Sequence, residues 1–453
     1  MSETKSRAPH LSPKVRDLLE GMQKELNENG TIPISIFNDK DLHQAEMEQI
    51  FGKQWNYIGH ESEIPKPGDY VLRYVGNDPF IFVRDEDGSI RVLFDACRHR
   101  GVQLCRAEKG NTSHFRCPYH GWTYKNTGEL IGAPGYKKAY QGMDKSEWGL
   151  IPAPRMENYH GFVFISLERE GPSLEDALGD FAWYLEMMFT MQTDGLEVLG
   201  EPQKFVVNCN WKQFAENFGG DDYHLLYLHR STYDAGVMQI PLMENMKGYH
   251  IKPGKGHGVS FSIDLESEEE NYWMFPPEIV ETFDGLKNMT KAQQDFAKGA
   301  RVTVGNIFPN TSFLLIPLSP DPNEVDPTTF LTWRVWRPLG PDQVEVVNWF
   351  FMYKNVPGEY KKQAFRAGLQ SFGMAGTFEM DDAIPLESIA RVANSVFGKK
   401  ELKLNYQMGM DGIGESKVVE DWPFPGEAWY PRFEEGNQRQ IYQHYLDVML
   451  NNQ

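Results

Sequence analysis

The 453 residues carry 45 Lys plus Arg against 64 Asp plus Glu, a formal charge of −19; phosphate backbones and anionic lipid are therefore poor partners, and a basic protein is the one such a charge would steer in. With 40% apolar and 24% charged residues, the composition fits a folded chain of about two or three domains and excludes wholesale disorder. Apolar runs such as 161–167 (GFVFISL) and 313–318 (FLLIPL) are far shorter than the roughly 20 residues of a membrane span, and the polar start MSETKSRAPHLSPK lacks a signal-peptide core, so the expected compartment is the cytoplasm.

Val15, Leu18, Leu19, Met22 and Leu26 recur at helical spacing and predict a helix over 11–29 that ends near Gly30. A second helix is expected at roughly 40–53, capped by Asn38 or Asp39. From about 54 to 168 the texture is β-rich: DYVLRYV, FIFVRD, IRVLFDA and GFVFISL are separated by turns such as Pro67-Gly68 and Asp87-Gly88. Beyond 170, helices are expected near 174–192, 210–227, 358–372 and 380–395, and strands around 203–208, 311–318, 329–336 and 344–353. The expectation is an α+β fold in three parts: a helical segment (1–45) packed on the larger domain, a small all-β domain (46–170), and an α+β domain with an antiparallel sheet (171–453).

Four cysteines are too few for a disulfide framework in a chain this long. Three of them fall within CRHRGVQLCRAEKGNTSHFRC. Cys97 and His99 lie two apart, Cys117 and His120 three apart, and each pair sits in a tight loop with Gly101 or with Pro118 and Gly121. Two thiolates and two imidazoles suit either a tetrahedral zinc site or a Rieske [2Fe–2S] centre. Zinc motifs usually pair Cys with Cys and His with His, whereas here each loop supplies one of each, as a two-iron cluster would use them. Such a cluster passes single electrons. Cys105 and Cys209 have no paired His and read as small buried hydrophobes.

A second constellation lies in NWKQFAENFGGDDYHLLYLHRS. Helical spacing puts Asn217, Asp221 and His224 on one face, but His229 falls about 140° further round. One regular helix cannot aim both imidazoles at a single point, so the helix must end or distort near 225–228 unless the two histidines do different jobs. Two His and a carboxylate would form the facial triad of non-haem Fe(II). Asp221, one turn before His224, is placed to orient that imidazole. The acidic patch Glu379, Asp381 and Asp382 is read both as a helix start and as a source of the third ligand.

Together these motifs resemble the large (α) subunit of Rieske non-haem iron aromatic ring-hydroxylating dioxygenases, of the naphthalene and biphenyl dioxygenase kind. The likeness runs from WNYIGHESEIPKPGDYVLRY through the paired Cys/His loops and NWK…ENF-x-GD-x-YH-x4-H to LNYQMG. It implies that Cys97, His99, Cys117 and His120 hold a [2Fe–2S] cluster. It makes His224, His229 and Asp382 the ligands of a mononuclear iron, and Asp221 a bridge from His224 to His120 of a neighbouring subunit. Asn217 matches a polar residue close to the iron. The implied fold is an all-β Rieske domain inserted in a catalytic domain whose long antiparallel sheet is flanked by helices.

The implied reaction takes electrons from NADH through a partner reductase and often a ferredoxin. O2 is activated at Fe(II), both oxygen atoms are added to a small aromatic substrate, and a cis-dihydrodiol results. The usual assembly is an α3β3 hexamer with a small β subunit. Alternatives are a Rieske monooxygenase acting on an aromatic acid and an electron carrier without oxygen chemistry. Phe218, Leu225, Phe372 and Phe378 are expected to line an aromatic pocket. Two departures from the family pattern fall near it: Asp222, where a small residue is usual, and AIPLES after Asp382. An Asp222 facing the pocket would favour a substrate with an amine or hydroxyl over a carboxylate.

Overall fold

The computed structural model describes residues 11–450 apart from 141, 239–247, 267–268, 320, 322, 324–325 and 411–413. It divides into two compact units: Phe51–Leu174, and the chain before Ile50 joined to that after Glu175. The expected boundaries at 45/46 and 170/171 thus move by about five residues, and the N-terminal segment belongs to the larger unit. Among the described residues, no helix is long and apolar enough to cross a membrane.

The N-terminal helix runs Pro13–Asn29. Ser12 Oγ accepts from the Val15 N–H, Pro13 occupies the first turn, and Gly30 closes the helix at φ +59°, a conformation that favours glycine. Val15, Leu19, Met22 and Leu26 are its buried stripe. The next helix, Lys40–Glu46, is capped by Asp39 and continues as a wider turn over Met47–Phe51, which accounts for the longer expected span.

In Phe51–Leu174 the β-rich runs form antiparallel sheets. One has the strand order Ile90–Phe94, Asp78–Arg84, Asp69–Val75, Lys109–Asn111. A second joins Arg155–Tyr159, Phe162–Ser166 and Asn56–His60, and a third joins His114–Arg116, Thr123–Lys125 and Leu130–Gly132. Their shared core gathers Ile81, Val83, Leu93, Phe115, Trp122 and Tyr124 around Cys97 and Cys117.

The larger unit is organised on a nine-stranded antiparallel sheet. From one edge the order is Leu196–Val207, Gln343–Tyr353, Thr328–Gly340, Thr311–Leu318, Ala300–Ile307, Gly258–Ile263, Gly248–Lys252, Glu427–Tyr430 and Lys417–Val418. All eight residues of Thr311–Leu318 are buried, so this central strand reads as a continuous apolar run and not as an alternating one. Helices Trp211–Phe218, Gly358–Phe372 and Gly436–Leu450 pack against the sheet. The expected helix at 174–192 is two helices, Leu174–Leu178 and Phe181–Phe189, parted at Gly179 (φ +54°).

A buried ion pair ties the N-terminal segment to this unit. Glu46 accepts from Lys212 Nζ at 2.6 Å, Tyr445 Oη at 2.7 Å and Trp211 Nε1 at 3.0 Å. One carboxylate thereby joins three helices, and each of its contacts is a hydrogen bond, the condition under which a buried charge is tolerated.

Candidate metal centres

The loops carrying Cys97 and Cys117 are copies of one turn. Cys97 N–H donates to Val102 O at 2.9 Å and Cys117 N–H to Trp122 O at 2.7 Å; Gly101 N–H donates to Cys97 O and Gly121 N–H to Cys117 O. Gly101 and Gly121 sit at φ +73° and +71°, where a side chain would strain the turn. Both sulfurs belong to buried residues, while His99 and His120 are half-exposed. The two imidazoles converge: Nδ1 to Nδ1 is 3.1 Å, with the rings 75° apart. His99 lies flat on Trp122, at 5.2 Å and 7°, and His120 packs on the exposed Tyr119. Tyr124 Oη lies 3.4 Å from Cys97 Sγ and accepts from Arg98 N–H at 3.0 Å. Two buried sulfurs and two converging Nδ1 atoms from matched loops are the donors a Rieske [2Fe–2S] cluster would require. Cys105 is half-buried at the edge of the same core, and Cys209 is fully buried.

The second centre departs from the expected single helix over 210–227. Asn210 caps the helix Trp211–Phe218 in a reciprocal box with Gln213, and the helix then stops at Gly219-Gly220. Gly220 has φ +136°, and a Cβ there would meet Asn437 Nδ2 at 2.7 Å. A Cβ on Gly219 would collide with Ile441 Cδ1, so the pair lets the backbone pass close beneath the C-terminal helix. Asp222–Leu226 follow as a tight 3-10 turn, and His229 begins the next helix, Arg230–Asp234. The break therefore comes before His224, earlier than expected, and it lets both imidazoles converge.

Asp382 meets them from the helix Thr377–Ala393. Ligand atoms of His224, His229 and Asp382 all lie within 4.8 Å of one another. Asp382 Oδ1 is 3.2 Å from His229 Nε2 and 3.6 Å from His224 Nε2, yet no hydrogen bond satisfies this buried oxygen. An orphaned carboxylate oxygen facing two imidazole nitrogens fits a cation bound between them. The outer nitrogens are oriented as well. His224 Nδ1 donates to Asp221 O with the Asp221 carboxylate at 3.6 Å, and His229 Nδ1 meets Asp381 Oδ2 at 3.3 Å. Both Nε2 atoms thus face the site, placed to bind a cation there. Burial disfavours charge on His224, but Asp221 and Asp382 outweigh it and raise its pKa to about 9. That surplus of negative potential is what a divalent cation would neutralise.

A cavity adjoins the triad. Asn217, Asp221, Phe218, Leu225, Phe372 and Phe378 all line it. Val302 and Val304 with Leu314 and Ile316 from two adjacent strands, plus Met238, line it as well, which was not foreseen. Behind the aromatic wall Arg334 lies over Phe218 and Phe372, at 4.9 and 4.7 Å, and pairs with Glu379 at 2.5 Å. Glu379 is therefore engaged away from the triad.

Asp222 also borders the cavity, but its charge is already compensated. Arg432 lies 3.2 Å and His250 2.7 Å from its oxygens, Ser260 Oγ donates to it, and Glu434 holds the other nitrogen of His250 at 2.9 Å. Burial would raise the Asp222 pKa, yet Arg432 and His250 hold it well below the carboxylate range. It offers no free carboxylate to a substrate amine. AIPLES is not on the cavity wall either: Ile384 is 64% exposed and Glu387 binds Asn208.

Comparison with known proteins accords with both centres. The Rieske [2Fe-2S] domain family matches residues 54–150, and the ring hydroxylating alpha subunit (catalytic domain) family matches 174–451. The chain belongs to the ring-hydroxylating alpha subunits. Among its relatives is the N,N-dimethyl phenylurea N-demethylase subunit alpha of Sphingobium sp., 38% identical over 95% of this chain and 94% of that one. Another is the biphenyl dioxygenase subunit alpha of Paraburkholderia xenovorans, 33% identical over 93% and 91%. The crystal structure of naphthalene 1,2-dioxygenase from Rhodococcus sp. bound to indole superposes with a TM-score of 0.91 at 42% identity, covering 97% of this chain and 99% of that one. This ring-hydroxylating alpha subunit is thus an oxygenase component with a Rieske cluster and a non-haem iron.

Proposed function

We propose that this alpha subunit adds both atoms of O2 to a small aromatic substrate and yields a cis-dihydrodiol. The observation that carries the proposal is the His224–His229–Asp382 triad opening on a cavity walled by Phe218, Leu225, Phe372 and Phe378. Cys97, His99, Cys117 and His120 hold the cluster, and the triad holds the iron. When bound, the iron supplies O2 activation and the cluster supplies stored single electrons. Asp221 and Asp381 keep the Nδ1 protons of His224 and His229, so that each Nε2 stays a ligand. The apolar walls lay a flat ring beside the triad and exclude water, and Asn217 adds a polar side chain to the lining.

Asp221, 38% exposed at its side chain, links His224 to His120 of a neighbouring copy, so that electrons cross between subunits. The working assembly is an α3β3 hexamer in the cytoplasm, with NADH as the electron source through a reductase and a ferredoxin. N-demethylation is a second reading, favoured by the 38% identity to the phenylurea demethylase subunit. A substrate panel run with labelled O2 separates them: two labelled oxygens in a ring diol support dihydroxylation, whereas formaldehyde release without a diol overturns it. Asp221→Asn is expected to keep both metals and to lose cluster oxidation in a single turnover.

A further inference from the structure

A chain of polar side chains crosses the core of the larger unit behind the cavity. Thr332 and Arg334, two apart, share one face of their strand, and Arg334 pairs in register with Asn348 on the next strand. All three are fully buried. Arg334 Nε donates to Thr332 Oγ at 3.2 Å, Thr332 Oγ donates to Asn348 Oδ1, and Asn348 Nδ2 donates to Phe372 O at 2.8 Å. At the other end Arg334 Nη1 donates to Glu379 Oε2 at 2.5 Å. These bonds run from the backbone of a cavity-wall residue to the helix that carries Asp382, three residues beyond Glu379.

The same guanidinium covers the rings of Phe218 and Phe372, at 4.9 and 4.7 Å, a contact that is strongest away from water. Phe372 stacks on Phe378 at 5.2 Å, and Phe378 lies 4.9 Å from the His229 ring. One side chain therefore holds three helices: Trp211–Phe218 by Phe218, Gly358–Phe372 by Phe372, and Thr377–Ala393 by Glu379. Stability alone does not account for it. Apolar residues of similar volume often match or better a buried Arg–Glu pair. Among the described residues, moreover, nothing hydrogen-bonds Arg334 Nη2 or Glu379 Oε1. Neither residue lines the cavity.

We propose that Arg334 is a positioning residue: it clamps the aromatic wall to the helix carrying Asp382, and so fixes which edge of a bound ring meets the triad. Given the reading above, that an aromatic ring enters this cavity, the ring is seated by Phe218, Phe372 and Phe378 while the metal site is held by Asp382. Wall and ligand reach the cavity from different helices, and Arg334 with Glu379 is the polar tie between them. A misplacement of about 1 Å at reacting atoms can cost roughly a hundredfold in rate, so a tie of this kind bears on which ring carbon reacts.

The test uses the holoenzyme with both metals, a surrogate electron donor and 2-methylnaphthalene, a two-ring probe whose rings differ. Arg334→Met/Glu379→Leu replaces the ion pair by apolar volume, and its melting temperature and iron content are expected to match the parent. Its ratio of diol regioisomers should shift by about tenfold, within what misplacement can produce. Arg334→Lys keeps the charge but not the flat fork and should fall between the two. A second readout needs no turnover: the electron paramagnetic resonance of the iron(II) nitrosyl should converge on one species when the probe is added to the parent, and stay mixed in the double variant. A parent-like isomer ratio and parent-like probe response in the double variant overturn the assignment. Loss of iron from it does so too, because the pair would then support the metal site and not the placement of the ring. If the parent makes no diol, the dihydroxylation reading fails, and the nitrosyl comparison still decides the role of Arg334.

Discussion

The two metal centres are assembled on opposite plans. The cluster loops are local: Cys97 to His120 is one short stretch, and each loop closes on its own backbone through the same pair of hydrogen bonds. The triad is global. His224 and His229 flank an irregular turn made possible by Gly219-Gly220, and Asp382 arrives from a helix more than 150 residues later. A local centre depends on a few turns, whereas a global one depends on the packing of the whole larger unit. The first should therefore survive damage to the second, while the reverse is set by whether electrons arrive.

The sharpest way to break the comparison is to remove one ligand from each centre. Asp382→Ala leaves two imidazoles and no carboxylate, so mononuclear iron should fall towards zero and turnover by at least about a thousandfold; metal analysis should still find the two cluster irons. Cys117→Ser should abolish the visible Rieske absorbance. Loss of the cluster in Asp382→Ala would show that the centres are not independent. The next effect concerns orientation. Asp381→Ala leaves the ligands intact but releases Nδ1 of His229, and losses of such partners cost about 10–100-fold in metal affinity or activity. An iron titration that matches the parent protein would remove Asp381 from that role.

The same contrast explains what could be read in advance. Paired Cys/His spacings carry their own geometry, so the first site was legible residue by residue. The long strands at 311–318 and 344–353 and the helix at 358–372 were equally plain from apolar runs and periodicity, and they appear at Thr311–Leu318, Gln343–Tyr353 and Gly358–Phe372. Helical periodicity misled at 210–227, because it ignored what two consecutive glycines permit beneath a packed helix. Only the family likeness singled out Asp382. The second cavity wall was invisible because Val304 and Leu314 become neighbours through sheet register, which no local window contains. Asp222 looked like a pocket charge because its partners, His250, Ser260 and Arg432, lie up to 210 residues away.

That buried network gives the larger unit a pH dependence. Burial alone would lower the His250 pKa, but hydrogen bonds to Asp222 and Glu434 outweigh it and raise it to about 9, against 6.5 for an ordinary imidazole. A raised pKa means that the folded state holds a proton the unfolded state has released. Its contribution is complete below pH 6.5 and is lost as pH climbs through about 9, at up to ~1.4 kcal/mol per pH unit between those limits. Denaturant unfolding of the larger unit should show this slope from pH 7 to 9, and His250→Asn should flatten it. A slope of the same size in that variant would assign the effect to another group.

The smallest expected change is in selectivity, and it separates the two walls of the cavity. Val304 lines the cavity from the strand Ala300–Ile307, which supplies no ligand of the triad. Val304→Leu adds one methylene to that wall without touching a ligand. A single methylene in an apolar site shifts discrimination by about 10–200-fold. The variant should therefore keep its iron, its cluster and its turnover of a single-ring substrate, while kcat/KM for a two-ring substrate falls by about tenfold. An equal loss for both substrates would mean that the change reached the triad through packing. In that case the sheet wall and the metal site are one mechanical element, and the strands carrying Val304 and Leu314 help to hold the imidazoles as well as to shape the pocket.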